Sequence, residues 1–113
     1  MTTKISVLNK LASNNLHENL AAKGGCAVTL ILTNQEYRVE LVKKLQEEVN
    51  EFLEDQCTEE LADILEVIHA LAPIVAGNLA NLEQVRLAKL QESGGYDKQM
   101  FVIEIHDKYT FLC

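Results

Sequence analysis

Apolar residues recur along the middle of this chain with the spacing of helices. Leu41, Val42, Leu45, Val49, Phe52 and Leu53 follow a 3.6-residue period, and at about 100° per residue they gather within roughly 120° of arc. Thr33-Asn34-Gln35-Glu36 just before them fits a capping box, in which hydroxyl and carboxylate satisfy early backbone N–H groups. The pattern predicts a helix from about Asn34 to Leu53. Leu61, Ile64, Leu65, Ile68, Leu71 and Ala72 repeat the stripe, with Thr58 as the expected N-cap and Glu59 and Glu60 at the positive helix end. Pro73 falls in the last turn of that helix and Gly77 closes it. The connection Glu54 to Thr58 is short, so these two helices should be antiparallel neighbours.

The flanks read differently. The first twenty-odd residues form a polar helix or an irregular lead-in with Leu8, Leu11, Leu16 and Leu20 as apolar contacts, ended by Gly24-Gly25. Residues 27–32 are short, apolar and partly β-branched, and residues 100–106 alternate, so a strand pair or hairpin is expected from the two. Asn78 can cap a further helix reaching about Glu92, before the break at Ser93-Gly94-Gly95. The whole of residues 1–113 is expected to be one mainly α domain, with no internal repeat or low-complexity tract.

Acidic residues stand out against the helical phase. Glu48 and Glu51, and then Glu60 and Asp63, are each three residues apart, so each pair shares one helix face. Glu48 lies at the edge of the apolar arc with Glu51 about 60° further out, and Glu60 and Asp63 repeat that layout. Glu47 points the other way and reads as a solvated surface acid. Packed side by side, the two helices would converge four carboxylates, which repel unless a cation or proton neutralises them. An all-oxygen set suits hard cations such as Mg2+ or Mn2+. A lone ExxE is usually a decorated helix surface; two phase-matched pairs on adjacent helices bring a metal site level with that bland alternative.

Composition and charge trim the choices. A net charge of -7 argues against a binder of nucleic-acid polymers, which would carry a basic face. Leu61 to Ala76 is the longest apolar stretch, but Asp63, Glu66 and His69 make it too polar to span a bilayer. Cys26, Cys57 and Cys113 have no CxxC spacing, and the N-terminus has no signal-peptide pattern, so free thiols and a cytoplasmic location are expected. His69 reads as a core-edge residue, and His17 and His106 have no partners at ligand spacing. Arg86, Lys89 and Lys98 are basic residues able to meet phosphate, though helix-surface cations are solvated by default.

The acidic motif, Glu47-Glu48-Val49-Asn50-Glu51 followed by Glu60-Leu61-Ala62-Asp63, resembles the EExxE and ExxD signature of the MazG-like, all-α nucleotide pyrophosphohydrolases, which include phosphoribosyl-ATP pyrophosphohydrolase. The likeness extends to Asn9-Lys10-Leu11, Thr33-Asn34-Gln35-Glu36-Tyr37, Lys89 and Gly94-Gly95-Tyr96, and so covers nearly the whole chain. It implies a four-helix-bundle core completed by oligomerisation as a homodimer or homotetramer. It also implies Mg2+-dependent cleavage of a nucleoside triphosphate or related nucleotide between the α and β phosphates. The family's ligands map onto Glu48, Glu51, Glu60 and Asp63, which would hold metal and carry catalysis; Lys44, Arg86 and Lys89 are the candidates for phosphate contact. Two departures bear on the substrate. Ala12-Ser13-Asn14-Asn15 stands where the family has Val-Arg-Asp-Lys, and Ser93 where it has Arg. The cage is kept while basic groups are missing, which leaves a non-enzymatic helical oligomer that binds a nucleotide or a protein partner as the alternative.

Overall fold

The computed structural model describes residues 4–108, and among these it is helical with no strand. The helices are α1 (Leu16–Ala21), α2 (Asn34–Glu54), α3 (Thr58–Ala76) and α4 (Leu79–Ser93). The chain divides into two compact units, one ending at Leu82 and one beginning at Glu83.

In the first unit, α2 starts at the capping box read from the sequence. Glu36 N–H donates to Thr33 Oγ1 at 3.2 Å, and Thr33 N–H donates to Glu36 Oε1 at 3.0 Å. At its other end the Asp55 N–H donates to the Glu51 carbonyl at 2.9 Å, and the Cys57 N–H to the Asp55 carbonyl at 2.8 Å. That tight link turns the chain so that α3 packs back along α2. Cys57, not Thr58, is the N-cap of α3, and it makes no side-chain capping bond. Thr58 is already helical, and Glu59 and Glu60 sit in the first turn, where the helix dipole favours acids. Gly77 closes α3 with φ of 85°, a conformation that suits a residue without Cβ.

The packed seam is narrower than the apolar stripes. Along α2 the buried or half-buried positions include Leu41, Leu45, Glu48 and Phe52; along α3 they include Glu60, Ile64, Val67, Leu71 and Ile74. Both series advance by alternating steps of three and four, the repeat of two helices meeting along a seam. Leu41, Val67 and Ala72 are the buried apolar residues among those described. Val67, outside the stripe predicted for α3, belongs to the buried set, while Val42, Leu53, Leu61 and Leu65 stay exposed. One partner helix covers a strip, and these stripes are wider than that strip.

Residues 27–32 and 100–106 do not form the expected strand pair. A strand exists only if its N–H and C=O groups find a partner strand, and neither segment has one among the described residues. Val28 and Ile31 are fully exposed, and the apolar residues from Met100 to Ile105 are largely exposed. The tie recorded for the earlier segment is a side-chain one, His17 Nε2 with Thr29 Oγ1 at 3.0 Å. His69 is exposed instead of lying at the core edge. No helix among the described residues is long and apolar enough to cross a membrane. Cys26 and Cys57 are free thiols; Cys113 lies outside the described residues.

The second unit holds most of α4, whose start is capped as the sequence predicts: the Asn81 N–H donates to Asn78 Oδ1 at 2.6 Å. Asn81 Nδ2 also donates to the Ala76 carbonyl at 2.7 Å. The Gly94 N–H donates to the Leu90 carbonyl at 2.7 Å, and Gly94, with φ of 82°, lets the chain leave the helix there.

Candidate metal centre

Seven residues back from Glu48 on α2 is Leu41, and seven residues on from Glu60 along α3 is Val67. Leu41 and Val67 are both buried apolar residues. Glu48 and Glu60 therefore occupy seam positions whose heptad equivalents build the core. Glu48 is correspondingly 7% exposed, the one buried charged residue among those described. Glu60 is half-buried, whereas Glu51 and Asp63 stand one step out on the solvent side.

The hairpin brings these four together. One carboxylate oxygen from each of Glu48, Glu51, Glu60 and Asp63 lies within 4.8 Å of every other. Glu48 Oε2 and Glu60 Oε2 are shielded from solvent and have no hydrogen-bond partner. A shielded carboxylate oxygen without a donor carries a desolvation penalty of a few kcal/mol. Burial pushes the Glu48 carboxyl above its ordinary range, with the nearby Glu51 adding to the rise. The arrangement is unfavourable by itself and becomes favourable around a cation. The oxygen-only donor set and the two orphaned oxygens fit a hard divalent ion.

Lys44, one turn before Glu48, is brought to the same place. Its Nζ lies 3.3 Å from Glu48 Oε1 and 3.6 Å from Glu47 Oε1. Burial works against the charged ammonium, but the two acids outweigh it and hold the Lys44 pKa above its usual value. Glu47 is less solvated than its helical phase implies. Lys10 Nζ donates to its Oε1 at 3.1 Å, and that bond above all, with the charge of Lys44, keeps its carboxyl below the usual range. Arg86 and Lys89 lie on α4 in the second unit, both exposed. Arg86 is taken up on its own helix: its Nε donates to Glu83 Oε2 at 2.9 Å, and its second nitrogen pairs with Glu83 Oε1. That pairing lowers the Glu83 carboxyl and raises the guanidinium. Within the first unit, Lys44 stands beside the carboxylates.

A grouping that helical phase did not reveal lies beside the cage. Asp55, Cys57 and Glu60 also offer ligand atoms within 4.8 Å of one another, so Glu60 is common to both sets. Its sequence signal is the acid and thiol spaced by two in the turn just ahead of Glu60, a position invisible to helix periodicity. No protein-family model matches the chain, and neither a curated protein nor a solved structure is found to be similar to it.

Proposed function

We propose that the chain is a divalent-metal-dependent nucleotide pyrophosphohydrolase of the MazG-like kind, releasing pyrophosphate from a standard or modified nucleotide. One observation carries this reading. Four carboxylates from two helices converge within 4.8 Å, and two of their oxygens are shielded without any donor. Glu48, Glu51, Glu60 and Asp63 would hold Mg2+ or Mn2+. Such an ion, when bound, neutralises phosphate charge and makes water a better nucleophile near neutral pH. The chain's own contribution is positional. Glu48 and Glu60 fix the inner side of the cage from within the seam, while exposed Glu51 and Asp63 face the side a nucleotide can approach. An outer carboxylate there can orient a water or take its proton. Lys44 places an ammonium beside the cage, where a phosphate would meet it. Exposed Val42, Leu61 and Leu65 are the surface on which a second α2–α3 pair would complete a four-helix bundle.

The test is incubation with a nucleotide panel and Mg2+, with pyrophosphate and orthophosphate detected separately. Pyrophosphate release from at least one nucleotide is expected. Glu48→Gln and Asp63→Asn should each lower it by about 100-fold or more, since loss of outer-shell groups already costs about 10- to 100-fold. Turnover surviving both substitutions overturns the assignment. A second reading, a nucleotide-binding helical oligomer without turnover, is favoured by Ser93 and by the uncharged run Ala12 to Asn15 where the family carries basic residues. Nucleotide binding with no pyrophosphate released, in Mn2+ as well as Mg2+, selects that reading.

A further inference from the structure

The cage does not stand alone on α2, because an alternating chain of charges runs into it from the N-terminal segment. Lys10 reaches Glu47 at 3.1 Å, Glu47 reaches Lys44 at 3.6 Å, and Lys44 reaches Glu48 at 3.3 Å. Exposure falls along this path. The Lys10 side chain is 56% exposed, Glu47 29%, Lys44 28% and Glu48 9%. Lys10 and Leu11 line a shallow hollow with Glu40, Lys43, Lys44 and Glu47, so the segment lies against α2 at this level. An exposed ion pair by itself contributes little. Here the series ends on a side chain nine-tenths buried whose second oxygen has no partner.

Lys44 therefore has two competing anchors. Bound to Glu48, its ammonium neutralises the carboxylate that a metal ion needs. Bound to Glu47, it leaves Glu48 free and stays beside the cage. How strongly Glu47 competes is set by Lys10, which occupies the same oxygen, Oε1, that faces Lys44. We propose that Lys44 is an internal countercation of the cage, exchanged onto Glu47 when a divalent ion takes Glu48, and that Lys10 and Glu47 are positioning residues that set this exchange. The proposal rests on the metal-cage reading above and adds what governs its affinity. It gives Glu47, which helical phase assigned to solvent, a role without making it a ligand. It also links the N-terminal segment to a site on the hairpin.

The sign of each effect follows from the two anchors. Removing the Lys44 ammonium removes the competitor, and a unit charge a few ångströms from a dication supports an effect on the order of tenfold even with solvent-like screening. Removing the Glu47 charge leaves Lys44 with Glu48 alone. Removing Lys10 releases Glu47 to hold Lys44 more firmly.

The experiment is calorimetric titration of the full chain with Mn2+ alone at neutral pH and low salt, with circular dichroism confirming that each variant is folded. Lys44→Met should bind Mn2+ about tenfold more tightly. Glu47→Gln should bind about threefold more weakly and Lys10→Ala about threefold more tightly, the range of a partly exposed pair, with Lys10→Arg close to wild type. In a Lys44→Met background, Glu47→Gln and Lys10→Ala should then change affinity hardly at all, because both act through Lys44. If their effects persist undiminished in that background, they are plain long-range charges and the proposal falls. It also falls if Lys44→Met binds Mn2+ no more tightly than wild type. Failure of the wild-type chain to bind Mn2+ overturns the cage reading itself, and the proposal with it.

Discussion

The α2–α3 hairpin and α4 are built from similar sequence signals and end in different states. Both begin at a side-chain cap, Thr33 for α2 and Asn78 for α4, and both carry Leu and Val at helical intervals. The hairpin buries Leu41, Val67 and Ala72 and draws an acid into its seam. On α4, Leu79, Val85, Leu87 and Leu90 are 42–49% exposed. What separates them is the turn at Asp55 to Cys57, which brings α3 back onto α2 and gives each a surface to bury against. A cap and a suitable composition make a helix; a returning partner makes a core, and with it an environment in which a carboxylate's protonation changes.

That comparison predicts a sharp difference in mutational cost. Leu41→Ala removes a residue 4% exposed from a small core and should destabilise the fold by about 2–4 kcal/mol in thermal or denaturant unfolding. Leu87→Ala, at 47% exposure on α4, should cost less than about 1 kcal/mol. Equal losses at the two positions would break the contrast, because α4 would then be as firmly packed as the hairpin.

A smaller effect of opposite sign separates the cage from the rest of the seam. Glu48 holds a position whose heptad relative is Leu41, yet it presents an unpartnered oxygen. Glu48→Leu should therefore stabilise the metal-free protein by about 1–3 kcal/mol, the cost of a shielded oxygen without a donor, since Lys44 keeps Glu47 as its partner. The same change should abolish any rise in melting temperature on adding Mg2+, since ligand-induced stabilisation requires the ligand's site. A metal-free Glu48→Leu protein that melts lower than wild type would mean the carboxylate is already satisfied in the seam.

The same contrast explains which features could be read from the sequence. The bounds of α2, its capping box, the Gly77 stop and the Asn78 cap depend on residues close together in the chain, and the structure has each of them. Convergence of Glu48, Glu51, Glu60 and Asp63 was legible because helical phase and a short turn suffice to place them. Whatever needed a distant partner was not. Alternation at 100–106 and β-branching at 27–32 say which way side chains point, but no local signal supplies the second strand. Phase alone assigns Glu47 to solvent, because nothing in α2 announces that Lys10, 37 positions earlier, lies against it. Val67 falls outside the sequence pattern because hydrophobicity outlines a stripe wider than its partner covers, and only packing chooses the buried edge.

The smallest expected effect concerns the start of the hairpin, where the fold was most legible. Thr33→Ala removes the hydroxyl that accepts the Glu36 N–H and should cost about 1 kcal/mol. The reciprocal half of the box depends on pH. The Thr33 backbone N–H, and after it the Thr33 hydroxyl, hold the Glu36 carboxyl below its ordinary value of 4.5. Because the folded value is depressed, this contribution is present above pH 4.5 and is lost as pH falls through the folded value below that. Many acids titrate in the same window, so the informative quantity is a difference. Far-UV circular dichroism of wild type and Glu36→Gln, followed from pH 6 downward, should show wild type more helical at the start and the gap closing only below pH 4.5. A gap that is constant across the range would mean the Gln amide caps α2 as well as the carboxylate does. The box would then act through hydrogen-bond geometry without a contribution from charge.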